Sequence, residues 1–184
     1  MEIIGDFNTT VTKALSEITP DYEKINGLVI CGTHTPKDWE RIVVLLKNAR
    51  EKGIPTLGIC FGLQMMVVEW ARHILGWEDA QSTEIQLTKH PVIAKMENLR
   101  VGIFPVNGIM ESHWHNYCVN NYWTDPLINN YFDVIRTENI VEEIKLKNHP
   151  YYVGVQYHPE YQSSKDKPHP IFIDFITSCQ QLQS

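Results

Sequence analysis

The sequence predicts an α/β fold of three layers, with a central mixed, mostly parallel sheet and helices on its faces. Two observations carry this. Apolar strand-like runs alternate with amphipathic helical stretches from the start of the chain to residue 75, the pattern that a parallel sheet with crossover helices leaves in a sequence. The third of these runs then passes through a glycine-flanked turn, Gly58-Ile59-Cys60-Phe61-Gly62, into a stretch of helical spacing, 63–75, free of Pro and Gly. Strand, tight turn and helix in that order are the setting of a nucleophile elbow, here with Cys60 where such elbows often carry serine.

Each element follows from local chemistry. A short strand over 2–7 ends at Gly5-Asp6. A helix over 9–18 places Val11, Ala14, Leu15 and Ile18 on one face, with Asn8 or Thr9 available as N-cap. Thr19-Pro20 stops it, and 21–25 is a short helical turn. Leu28–Cys31 is a buried-type strand closing at Gly32. A long amphipathic helix over 37–52 aligns Trp39, Ile42, Val43, Leu46 and Ala49, and Gly53 is suited to its C-cap. The strand 54–59 and the helix 63–75 complete this half. The second half reads as strands at 92–95, 99–105, 117–119, 132–137, 141–146 and 151–157. A turn at Asn148-His149-Pro150 and a loop over 162–168 follow the same reading, and Pro170 opens a last helix to Gln181. Short connections and the absence of a linker favour one domain over 1–184.

Bulk properties narrow the function. The chain has 184 residues, 43% of them hydrophobic and 21% charged, enough for a real core. A net charge of −6 argues against nucleic acid or an anionic membrane as partner. No apolar run approaches the roughly 18 residues of a membrane span. Cys31, Cys60, Cys118 and Cys179 form no CxxC motif, and no secretion signal is visible. They read as reduced thiols of a cytoplasmic protein.

A cysteine nucleophile needs a base within hydrogen-bond reach and a group that orients the base. Of the eight histidines, His158 is the strongest candidate, because it ends an expected strand and Pro159 can turn Glu160 back toward it. Functional residues of parallel sheets gather at the carboxyl ends of strands, where Cys60 also falls. His113-x-His115 with Cys118 and His158 is a metal-ligand set by residue type, but no metal or other cofactor is expected.

Cys60 with His158-x-Glu160 on this framework resembles the class I (triad) glutamine amidotransferases, and within them the glutaminase domain of CTP synthase. Five segments carry the likeness: Leu57–Gln64, the run Val68–Glu84 with its Ser82-Thr83-Glu84 ending, Leu99–Gly102, Glu111–Asn121, and Asn148–Phe172. The resemblance implies a flavodoxin-like fold, smaller than usual at the N-terminal end, which leaves a sheet edge or a docking face. It also implies hydrolysis of the glutamine side-chain amide through a γ-glutamyl thioester. Cys60 would be the nucleophile, His158 the acid–base and Glu160 its orienting group. The oxyanion hole would be the backbone N–H groups of Gly32 and Phe61. Gln64, Glu84, His113, Trp114 and Tyr157 would contact the substrate, with Glu84 receiving its ammonium. No synthase portion is present in the sequence, so the ammonia is expected to pass to a separate synthetase subunit or to water.

The chain departs from that pattern at two places in the expected site. The glycine-rich oxyanion loop reads Cys31-Gly32-Thr33-His34, with Gly32 alone keeping its position. Trp114 stands where the family places an arginine against the substrate α-carboxylate, and Arg-to-Trp removes a charge-assisted contact. Two further readings follow from these changes: a stand-alone hydrolase of larger γ-glutamyl amides, and a non-catalytic relative that binds a ligand or regulates a partner.

Overall fold

The computed structural model describes residues 1–182. Six strands form the main sheet. Its parallel half is β1 (Glu2–Ile4), β2 (Leu28–Ile30), β3 (Thr56–Ile59) and β9 (Tyr152–Val155). β8 (Ile140–Leu146) and β7 (Phe132–Thr137) continue it antiparallel. The order across the sheet is β1-β2-β3-β9-β8-β7. Helices α2 (Trp39–Glu51) and α3 (Phe61–His73) cover one face, and α1 (Asn8–Ile18) and α5 (Pro170–Gln181) the other. Period-two alternation divides the strands between the two cores: Leu28 and Ile30 pack with Ile42, Leu46 and Met65, whereas Val29, Leu57 and Ile59 pack with Leu15, Phe172 and Phe175. Both faces are covered, which is why these strands read as continuous apolar runs. The expected mostly parallel three-layer architecture is present, and β1 forms its open edge.

The second half departs from the strand-by-strand expectation. A separate three-stranded sheet is built from β4 (Gln81–Ser82) and a long hairpin of β5 (Pro91–Val106) and β6 (Ile109–Val119), with β5 in the middle. The strands expected at 92–95 and 99–105 are parts of β5, and the gap between them is a shift of register between Lys95 and Arg100. The hairpin turns at Asn107-Gly108, whose φ values of 46° and 84° suit the tight turn that matches strand twist. Helix α4 (Asn121–Tyr131) was absent from the sequence expectation. Its start is marked by the Asn120 side chain, which accepts from the Tyr122 N–H. At α1 neither Asn8 nor Thr9 is the N-cap; Phe7 holds that position without a side-chain bond.

Buried polar pairs fasten the hairpin across the carboxyl ends of the parallel strands. Arg100 of β5 and His113 of β6 both bond Glu142 of β8, each at 2.9 Å. His169, at the start of α5, donates from Nε2 to Glu111 of β6 at 2.8 Å while its Nδ1 accepts from the Ile171 N–H. The His158 N–H donates to the Ser112 carbonyl at 2.7 Å. No described helix is long and apolar enough to cross a membrane.

Candidate active site

The strand order sets the site. β2, β3 and β9 are parallel neighbours, so the residues just past their carboxyl ends, Gly32, Cys60 and His158, come side by side. Cys60 has φ 55° and ψ −101°, a conformation that L-residues avoid and that persists where the surroundings over-determine it. The flanking glycines supply that constraint. A Cβ on Gly62 would lie 2.2 Å from the Ile30 carbonyl oxygen of β2, and one on Gly58 would lie 2.7 Å from the Gly62 backbone. The elbow therefore packs backbone against backbone. The Cys60 N–H is held by the Val155 carbonyl at 2.7 Å, while Phe61 opens α3, where N–H groups lack partners within the helix.

His158 is buried and donates from Nδ1 to Glu160 Oε1 at 2.7 Å. That bond leaves Nε2 as the ring nitrogen available to Cys60, the other group that acts on the imidazole. Burial lowers the imidazole pKa, but the hydrogen bonds and negative charge of Cys60 and Glu160 outweigh it and raise His158 to about 10. The ring lies between Phe7 and Tyr161, with centroids at 5.5 and 5.6 Å. Gly32 sits so close that a Cβ there would be 2.9 Å from His158 Cε1. Gln156, two residues earlier, directs its Nε2 to the Cys60 sulfur at 3.6 Å.

A cavity of about 200 Å³ opens in front of Cys60. Among the expected substrate contacts, Gln64, Glu84 and Trp114 line it, as does Phe61. His113 and Tyr157 do not. His113 is buried against Glu142, and the Tyr157 hydroxyl donates to Glu143 at 3.2 Å. Both side chains face the joint between the hairpin and β8, outside the lining of this cavity. The cavity is bounded as well by His34, Leu99 and His115, positions that the residue-type argument did not single out as contacts. Burial lowers His115 to about 3, so the ring is neutral, and burial raises Glu84.

The loop that follows Gly32 has its own support. The Asp6 carboxylate accepts from the Thr33 hydroxyl, from the His34 N–H at 3.1 Å and from the Thr35 hydroxyl at 3.2 Å. These bonds, the Thr33 hydroxyl first, hold Asp6 below the usual carboxylate range. His34 leans edge-on against Phe7 on one side and Trp114 on the other, at 5.0 and 5.4 Å. Among the described residues no cluster of three or more His, Cys, Asp or Glu side chains is placed to hold a metal ion.

Comparison with known proteins agrees with this geometry. The family model "Glutamine amidotransferase class-I" matches residues 6–178, and the chain belongs to that family. Among curated proteins it is similar to CTP synthase of Thermomicrobium roseum, 37% identical over 134 residues, which are 60% of this chain and 24% of that protein. It is likewise similar to CTP synthase of Agrobacterium fabrum, 45% identical over 78 residues, 42% of this chain and 14% of the other. The chain spans about a quarter or less of the length of these relatives. Its fold is that of the Trypanosoma brucei CTPS glutaminase domain with bound acivicin, with a TM-score of 0.86, 18% identity, and coverage of 98% of this chain and 94% of that one. A putative GMP synthase component from Thermoplasma acidophilum has a TM-score of 0.66 at 17% identity, over 100% and 96% of the two chains.

Proposed function

We propose that this chain, as one domain, hydrolyses a γ-glutamyl amide by covalent catalysis, with Cys60 as nucleophile, His158 as acid–base and Glu160 as its orienting group. The observation that carries this is the placement of Cys60 and His158 just past the carboxyl ends of adjacent parallel strands, with His158 bonded to Glu160 at 2.7 Å. His158 takes the Cys60 thiol proton, its raised pKa favouring the protonated ring. The thiolate attacks the side-chain amide carbon, and the oxyanion is held by the N–H groups of Gly32 and Phe61. His158 then gives its proton to the departing nitrogen, the C–N bond breaks and ammonia leaves a γ-glutamyl thioester. Water attacks that thioester, His158 takes its proton, and the C–S bond breaks to return the thiolate and free the carboxylate. In the substrate complex Gln64 and Glu84 hold the head group.

Membership of the class I glutamine amidotransferase family supports glutamine as the amide; a separate synthetase as receiver of the ammonia, in the cytoplasm, is part of the same proposal. The exposed Trp114 at the cavity mouth favours a second reading, in which the amide nitrogen carries a larger group and the released product is an amine. The test is to incubate the protein with glutamine and with N-substituted γ-glutamyl amides, and to follow glutamate release and the mass of the Cys60 peptide. Glutamate release together with a γ-glutamyl adduct on Cys60 supports the mechanism. Full turnover by a Cys60→Ala variant would end it.

A further inference from the structure

The cavity is supplied with acceptors and contains no fixed cation. The Gln64 Nε2 donates to the Tyr117 carbonyl at 3.1 Å, which leaves Gln64 Oε1 buried and without a partner. The His115 Nδ1 donates to the same carbonyl at 3.0 Å, which makes Nε2 an acceptor, also buried and unpartnered. Gln64 is 3% exposed and His115 5%. The Glu84 carboxylate faces the same space. Leaving buried acceptors unpaired is costly, and Gln64, His115 and Glu84 all line the cavity. Among the described residues no Lys or Arg lines the cavity. Arg100, the guanidinium on the neighbouring strand, is occupied with Glu142. The α-carboxylate of free glutamine shares a carbon with the ammonium, so in a space of about 200 Å³ it must lie beside Glu84. There it meets a like charge, an arrangement that discriminates against a ligand. The mouth offers apolar surface in its place. Trp114 and Leu99 line it while remaining 53% and 57% exposed. Trp114 pairs across the hairpin with Val101, which is also exposed, as is Ile103 two residues on.

We propose that the site takes a glutaminyl group whose α-ammonium is free and whose α-carboxyl is masked as an amide, as in glutamine α-amide or the amino-terminal glutamine of a short peptide, with the masking group lying on Trp114 and Leu99. This rests on the amide-hydrolase reading above. Trp114 is the specificity-determining residue, and Glu84 sets the sign of the discrimination.

The experiment compares free glutamine, glutamine α-amide and glutaminyl-phenylalanine, scoring conversion of the side-chain amide to carboxylate by mass, with the Cys60→Ala rate subtracted. It is run at one fixed pH for all three compounds. The masked compounds are expected to exceed free glutamine in kcat/KM by about tenfold or more. Trp114→Arg, which places a guanidinium at the mouth, is expected to move that ratio back toward free glutamine by about tenfold. Glu84→Gln should narrow the ratio by removing the repelling charge. If wild-type protein turns over free glutamine as well as either masked compound, the inference fails and the amide-hydrolase reading stands. If the ratio is unmoved in both variants, the assignment to Trp114 and Glu84 is wrong. If none of the three is hydrolysed and no adduct forms on Cys60, the underlying reading fails, and the inference with it.

Discussion

The floor of the cavity and its outer wall come from different sheets and are held by different forces. The floor is β2, β3 and β9, buried on both faces between helices, where Cys60 is fixed by steric fit: glycines at 58 and 62 admit backbone contacts that any Cβ would block. The wall is the β5–β6 hairpin, fastened largely by buried charged and polar pairs. Its outward face carries the exposed apolar residues Leu99, Val101, Ile103 and Trp114. The difference separates two roles. The proposed bond-breaking groups belong to the part with least freedom to vary. The groups that read the substrate belong to a part whose outward side chains can change without disturbing a core.

The largest expected effect breaks the floor chemically. Cys60→Ala should lower kcat by about 10⁴-fold or more while leaving the fold intact, since removing a nucleophile from a unit of this kind costs on that order. A loss below about tenfold would deny the floor its catalytic role. The same group of residues makes stability depend on pH. The His158 pKa is raised to about 10 in the folded protein from an ordinary value of about 6.5. Its contribution is therefore fully present below about pH 6.5 and is lost as pH rises through about 10. The urea midpoint of wild-type protein should fall across that window, and less so in Cys60→Ala, which lacks one of the two groups that raise the pKa.

The next effect breaks the floor sterically. In Gly62→Ala the new Cβ would stand 2.2 Å from the Ile30 carbonyl oxygen, so β2 and α3 must part. A loss of about 4 kcal/mol of stability is expected, read as a drop in urea midpoint together with lost activity. A variant of wild-type stability would mean that the elbow is less tightly fitted than its contacts require.

The floor was largely legible in the sequence, and the wall was not. Cys60, His158 and Glu160 stand out because their residue types are rare in combination and each follows a strand-like run, so topology alone brings them near one another. The wall depends on packing between sheets, which periodicity does not report. Alternation puts His113 and His115 on one face of a strand, yet one bonds Glu142 and the other lines the cavity. Asp6 was invisible for a related reason, since its partners Thr33 and Thr35 lie 27 and 29 residues away. The hairpin did leave a readable signal at Asn107-Gly108. It was masked by the register shift in β5, which made a single strand look like two.

Glu142→Ala tests how the wall is held. The substitution would leave Arg100 and His113 buried without their shared carboxylate, and removing one partner of a buried pair typically costs about 3 kcal/mol or more. Thermal unfolding should shift accordingly. If the hairpin were held by apolar packing alone, the cost would approach that of a surface change.

The smallest expected effect lies where floor and wall meet. Asp6 gathers the Thr33 hydroxyl, the His34 N–H and the Thr35 hydroxyl on one carboxylate, in a loop where the family's neighbouring glycines are missing. These bonds stand in for glycine-shaped geometry by fixing the segment after Gly32 from outside. Asp6→Ala should then lower kcat by about tenfold with a smaller change in KM, because a modest misplacement of an oxyanion donor weakens the transition state more than the bound substrate. Stability should change little, since the pairing is near the surface. Asp6 is held below the usual carboxylate range by the Thr33 hydroxyl and its neighbours, so it stays ionised through neutral pH, and the defect should be constant from about pH 5 to about pH 9. An unchanged kcat in Asp6→Ala would mean that the loop is shaped by its aromatic contacts, Phe7 and Trp114 against His34, and would move the control of the oxyanion hole from the floor to the wall.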